Sequence, residues 1–405
     1  MLTTLTRTIG AIVAALLFVA PAPVMPPVIA HEVGNSEIVS GDILVGVSDD
    51  AERLVLDTGV EQPLTYKISE TPTEPFDAND MMDPCAIKSC SPYDSIARQS
   101  RHRFWVVSSR GLTWNACAAD LDAPLMTVSR LYCNGMTQRS SMTEFQSELQ
   151  PGRRVVYYVH GNRTSSINAI RYGLTFFNRV KAYLDDQPTE WVIFNWPSAQ
   201  TGVLLKDARE KAARTDAEGL YLAWLLRHHV EQSSPIAMVG YSFGARVLSG
   251  SIHALAGGPL ANRTLPAPHY CGADISVGFV AAAFDADWLM EGHYHGCSTK
   301  NMRTLTMLYN QRDVALRNHW RLTRERSSEA LGFSGPRCFG ARCDGTALPV
   351  RALNCTSSVR ARHAERFYYD RACSAGLQMA TLINQAKPAS NLQITIKTNG
   401  TTGQF

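Results

Sequence analysis

The chain is short of several things that would settle its class early. Charge of one sign is absent: 39 Lys and Arg stand against 36 Asp and Glu, leaving a formal +3 over 405 residues. That balance gives no basic stripe for nucleic acid and no polybasic patch for an anionic membrane. Charged residues reach only 19% and apolar ones 45%, so a packed core is expected and wholesale disorder is not. There is no internal repeat, no low-complexity tract and no second long apolar run.

The single apolar run, Ile9 to Ala20, follows one cation, Arg7. It falls short of the ~20 residues that span a bilayer. Pro21, Pro23, Pro26 and Pro27 prevent its extension, and Val28 and Ala30 suit the −3 and −1 positions of a cleavage site. The expectation is a signal peptide over residues 1–30, no stable membrane span after cleavage, and a periplasmic or secreted protein. No Cys follows the run, so a lipoprotein anchor is not indicated. All ten cysteines come later, and their number is even, as disulfides in an oxidising compartment require. Cys85 with Cys90 and Cys338 with Cys343 lie close enough to close small loops. Zinc tolerates similar spacings, but paired His ligands are lacking beside them, so no metal is expected.

What is present is strand and helix in alternation. Residues 31–150 read as β-rich, with candidate strands near 38–48, in LTYKISE, at 103–111 and in SRLYCNG, a loop over 70–95 and a short helix at 140–150. They are expected to include the first strands of the main sheet. From 151 to 386 strands are expected at 154–159, 191–196, 236–240, 275–284 and 303–309. Helical periodicity lies between them, at 167–186, 208–232 and 243–257. That order predicts an α/β class with a mostly parallel, doubly wound sheet. Residues 387–405 read as a polar tail with a possible edge strand in LQITIKT.

Two strand ends carry the chemistry. IAMVGYSFGAR runs from an apolar strand into Gly240–Tyr241–Ser242–Phe243–Gly244 and on into a helix pattern. Such a turn lifts Ser242 to the sheet edge at a helix N-terminus, where the backbone N–H of Phe243 can face a developing oxyanion. RVVYYVHGNR ends likewise in His160–Gly161–Asn162. There Gly161 permits an unusual path and the N–H of Asn162 can supply a second donor. His160 is expected to shape the loop, not to act as base.

Six short stretches, in order, resemble a poorly characterised group of bacterial α/β-hydrolases. These are HGNR (160–163), FNWPS (194–198), YSFGAR (241–246), AAAFDAD (281–287), YNQRDVAL (309–316) and ARHAERFYYD (361–370). The group carries a His-Gly-aromatic-Asn loop, a strand ending in Trp-Pro-Ser, a His-Ser-Met-Gly-Asn-Arg elbow, an Ala-Ala-Pro-Asp segment, an Asn-Asp-x-Ala-Leu strand end and a late His. Here Asn162 replaces the aromatic, Tyr241 the His and Phe243 the Met. The resemblance covers residues 153–386. It implies an α/β-hydrolase fold and a serine hydrolase without cofactor, acting on small-molecule or lipid esters.

In this fold the order is nucleophile, acid, base. Asp313 matches the acid position, with Asp285 as the alternative. His319 and His363 alone follow Asp313. His319 sits too near it in sequence to reach across to Ser242, so His363 is the expected base. His293 and His295, two apart, could hold a metal, but their spacing alone does not call for one. Between Asp313 and His363 lie nine arginines, including Arg317, Arg337, Arg342, Arg351 and Arg360. They read as a solvated face or as a basic lid. A non-catalytic binding or envelope protein on the same scaffold is the competing expectation. What separates the two is whether Ser242, His363 and an acid meet.

Overall fold

The computed structural model describes residues 101–132, 135–148, 152–323, 328–369, 374–398 and 401–404. The expected signal peptide, the candidate strands before residue 100, and Cys85 and Cys90 lie outside the described residues.

The strands of the main sheet are β1 (His102–Ser108), β2 (Thr127–Leu131), β3 (Thr137–Ser140), β4 (Arg154–Val159), β5 (Thr189–Asn195), β6 (Ile236–Tyr241), β8 (Ile275–Val280), β9 (Met302–Tyr309) and β10 (Val350–Asn354). They are ordered β10-β9-β8-β6-β4-β5-β1-β2-β3. All of these strands run in one direction except β2, which is antiparallel to its neighbours β1 and β3. Strands β4, β5, β6 and β8 read as unbroken apolar runs because both their faces are covered.

Tyr157 and Tyr158 show the two layers directly, since neighbours on a strand point to opposite faces. Tyr157 meets His229 at the end of the long helix α3 (Leu204–Glu231), and Tyr158 stacks on Phe176 of α2 (Ser166–Val180). The short helix α1 (Met142–Ser147) precedes both and buries Phe145 against Trp105 of β1. Helix α4 (Phe243–Leu255) packs on α3. Between β9 and β10 come three one-turn helices, α5 (Val314–Arg317), α6 (Trp320–Thr323) and α7 (Leu331–Ser334). After β10 follow α8 (Thr356–Val359) and α9 (Ala375–Asn384), and α9 lies against β6, β8, β9 and α2.

Chain order reverses around β4. From it the chain crosses to β5 on one side and then returns to β6 on the other. In open α/β sheets the crevice beyond the strand ends at such a point is where sites form. It is here that the loops after β4 and β6 emerge, carrying His160–Asn162 and Ser242.

Three expectations need correction. The apolar run 275–284 is not all strand. β8 ends at Val280 because Ala281 takes φ +49° and turns the chain under the site. LQITIKT is no edge of the main sheet. Its residues form β11 (Gln393–Thr398), the middle strand of a second sheet between β7 (His269–Cys271) and β12 (Thr401–Gln404). Cys338 and Cys343 are not joined: Cys343 bonds Cys271, 72 residues away, and Cys338 is free and exposed. A neighbour in sequence had the shorter loop to close, but β7 brings Cys271 to the site of pairing.

Candidate active site

The turn after β6 is as tight as its small residues allow. Ser242 takes φ +53° and ψ −119° as cap of α4, a conformation L residues rarely adopt. Three bonds hold it there: its N–H donates to Val280 O at 2.9 Å, and its carbonyl accepts from Ala245 N at 3.1 Å and Ala283 N at 3.2 Å. A side chain at Gly244 would collide with the carbonyls of Val159 and His160, so glycine lets α4 seat directly against the β4 loop. Gly161 is similarly confined. A Cβ there would meet the Tyr241 ring at 2.8 Å and Ser242 Cβ at 3.2 Å. The His-Gly loop therefore lies against the serine.

Ser242 Oγ is 3.0 Å from His363 Nε2, and His363 Nδ1 is 2.8 Å from Asp313 Oδ2. Ser242 is 5% exposed and Asp313 fully buried. Asp313 caps α5 at the same time, since its Oδ1 accepts from Leu316 N at 3.0 Å. Its Oδ2 also accepts from the Tyr368 hydroxyl at 2.9 Å. A carboxylate that accepts three donors is fixed in position. The tyrosine hydroxyl is in turn pushed well above its ordinary value by burial and by the Asp313 charge.

The His363 loop is pinned at its backbone. Asn310, just past β9, donates from Nδ2 to the carbonyls of Arg360 (2.7 Å) and Arg362 (3.3 Å). Tyr241 donates from its hydroxyl to His363 O at 3.0 Å, its ring 5.4 Å from the imidazole. Two residues on, Glu365 accepts from Tyr158 (2.5 Å) and Tyr369 (2.9 Å). Burial raises its carboxyl to about 7 against the lowering effect of those two bonds.

The other expected residues fall elsewhere or take a supporting place. His160 is buried and stacked on Trp196, and Trp196 Nε1 donates to its carbonyl at 2.8 Å. Burial lowers its imidazole to about 3, so it stays neutral beneath the loop. Asp285 does not reach His363. It pairs with His319 at 2.6 Å. Phe243 begins α4, where backbone N–H groups have no acceptor within the helix. His293 and His295 point apart: His293 pairs with Asp287 at 3.0 Å, and His295 faces Ser249 at 2.8 Å. Among the described residues, the arginines between Asp313 and His363 form no single lid. Arg342 and Arg351 line a cavity at the other end of the strands.

Sequence reasoning missed Tyr368, Asn310 and the new use of Tyr241. Asn310 carried a usable signal, being the first polar residue after an apolar strand. Tyr368 carried none, because its partner lies 55 residues away.

Strand order and the strand–turn–helix around Ser242 together make an α/β-hydrolase fold. No family model and no curated protein matches the chain. Solved structures overlap part of it. They include carboxyl esterase 2 of the mycorrhizal fungus Tuber melanosporum, 9% identical over 64% of this chain and 81% of that one, with a TM-score of 0.28. An esterase of Pyrobaculum calidifontis is 11% identical over 65% and 81%, with a TM-score of 0.28. An inhibited esterase B of Lactobacillus rhamnosis is 10% identical over 75% and 94%, with a TM-score of 0.32.

Proposed function

We propose that the chain is a serine hydrolase that cleaves carboxylic esters through an acyl-enzyme on Ser242. One observation carries the reading: the continuous hydrogen-bond path from Ser242 Oγ through His363 to the buried Asp313. His363 Nε2 takes the serine proton as Oγ attacks the ester carbon. Asp313 holds the proton on Nδ1 and offsets the imidazolium charge that forms. The N–H groups of Phe243 and Asn162 hold the oxyanion, and His363 then returns its proton to the leaving alcohol. Water enters by the same base and releases the acid.

We further propose that the protein works outside the cytoplasm. The leader pattern of residues 1–30 and the disulfide between Cys271 and Cys343 support it, as does the disulfide-bonded Cys355.

The test is to treat the purified, oxidised protein with a fluorophosphonate probe and locate the adduct by mass spectrometry. Labelling at Ser242, lost in Ser242→Ala, is expected. A folded sample that takes no label would favour a binding protein on a hydrolase scaffold.

A further inference from the structure

A cavity lies far from Ser242. It measures about 790 Å³ and opens where β9 and β10 begin, between the segment after α9 and the loop that carries Cys343. Ser242, Asp313 and His363 all lie beyond strand C-terminal ends, and this cavity sits at the N-terminal ends. The six residues of β8 separate the two edges by ~20 Å.

Its lining is cationic and built. Arg303 comes from the start of β9, Arg351 from β10 and Lys387 from beyond α9. Arg303 approaches a carboxylate only at 4.0 Å, to Asp274 Oδ2. Arg351 gives one bond, to Gln378 Oε1 at 2.9 Å. Lys387 has no hydrogen bond or ion pair among the described residues. Three cations from three elements thus converge with most of their N–H groups unspent.

The wall behind them is cross-linked. Asp274 is 4% exposed and held at φ +53°. Its Oδ1 accepts from Arg342 at 2.8 Å and its Oδ2 from Ser390 Oγ at 3.0 Å. Asp274 thus spends its charge mainly on Arg342 and only partly, at 4.0 Å, on Arg303, while the other lining carboxylate, Asp344, pairs with Arg342 at 3.3 Å; Arg351 and Lys387 face no carboxylate among the described residues. The Cys271–Cys343 disulfide ties the same loop to β7, and Cys343 is itself part of the lining. Among the described residues no aromatic ring lines the cavity, so its recognition rests on charge and hydrogen bonds. Hydroxyl and amide groups, including Thr304, Gln385 and Asn391, fill the space between the cations.

We propose that this cavity is a second binding site, for a phosphate monoester. A tetrahedral dianion offers three acceptor oxygens to donors arriving from three sides. The volume exceeds that of a phosphate and leaves room for the ester's organic part beside the threonine and amide groups. The site is independent of the chemistry at Ser242. A phosphate ester free in solution and one borne by a lipid headgroup present the same group.

The experiment uses the oxidised full chain. Calorimetry titrates glucose 6-phosphate against glucose as the neutral control. Flotation compares vesicles of phosphatidylcholine with vesicles that also contain phosphatidic acid. Glucose 6-phosphate is expected to bind saturably and glucose not at all. Arg351→Glu with Lys387→Glu, both on exposed side chains, should weaken binding by about tenfold or more. Ser242→Ala should leave it unchanged. Binding in calorimetry with no flotation assigns a soluble phosphate ester, and flotation that requires phosphatidic acid assigns a lipid headgroup. No binding in either arm overturns the proposal, and so does binding of wild-type strength in the double variant.

Discussion

Asp313→Asn tests the site most sharply, because the side chain does three things with two oxygens. Oδ1 caps α5 through Leu316 N, while Oδ2 accepts from His363 Nδ1 and Tyr368. An asparagine can keep only one arrangement. If its carbonyl stays on Leu316, its NH2 faces His363 and donates to Nδ1. The imidazole proton then moves to Nε2, which points at Ser242 Oγ as a donor and can no longer accept. If the amide flips, two N–H groups face each other at the cap, at a cost of about 1 kcal/mol in stability. The first arrangement is the cheaper one, and it abolishes the base without moving an atom far. The expected fall in kcat is about 10⁴-fold, near 5.5 kcal/mol of activation free energy. KM should change little, since no ground-state contact is removed. Initial rates on a chromogenic short-chain ester, with circular dichroism to verify folding, measure it. Asp285→Asn, which breaks only the pair with His319, should leave kcat within a few-fold. A folded Asp313→Asn variant within about tenfold of wild type would refute the tautomer argument, above all if Asp285→Asn were the inactive one.

Three further outcomes follow from the same geometry. Gly161→Ala places a Cβ 2.8 Å from the Tyr241 ring and 3.2 Å from Ser242 Cβ, so the loop must shift. Ester kcat should drop about 10²-fold while the thermal midpoint barely moves, and a large fall in the midpoint would mean the glycine serves folding instead. Glu218 is fully buried, accepts from Ser109 at 2.5 Å, and burial raises its carboxyl from 4.5 to about 8. The folded state thus keeps a proton that the unfolded chain loses, so this group's stabilisation is complete below pH 4.5 and is lost as pH rises to about 8, by up to about 1.4 kcal/mol per unit. Denaturant melts of Glu218→Gln should show a flatter pH dependence across that window, and an unchanged slope would show that Glu218 ionises freely in the fold. Cys271→Ser opens a bridge spanning 72 residues, and the loop-closure account predicts a loss of about 4 kcal/mol. Chemical denaturation of the oxidised forms measures it, and a loss under about 1 kcal/mol would mean the unfolded chain is already constrained there.

Much of the architecture could be read before any coordinates. Strands β4, β5, β6 and β9 fell within about two residues of their expected bounds, since strands covered on both faces leave unbroken apolar runs. Strand β10 escaped notice for the opposite reason. It lies at the sheet edge and four of its five residues are exposed, so VRALN carries no apolar pattern. The overlong strand at 275–284 shows a further limit. The turn after Val280 is buried like the strand before it, and composition does not distinguish them.

The sequence by itself determined the local geometry. Glycines at 240 and 244 around Ser242 specify a sharp strand–helix turn, and Gly161 lets the β4 loop lie against it. These choices involve residues close in the chain, so their physics is written locally. Only the tertiary structure decided between Asp313 and Asp285, gave Cys343 to Cys271 and divided the arginines between two edges of one sheet. Each of those outcomes depends on which strand ends are neighbours. The chain settles that through the burial of a whole sheet, and a hydrogen bond or disulfide across 50 or 72 residues forms only where that sheet has already brought its partners together.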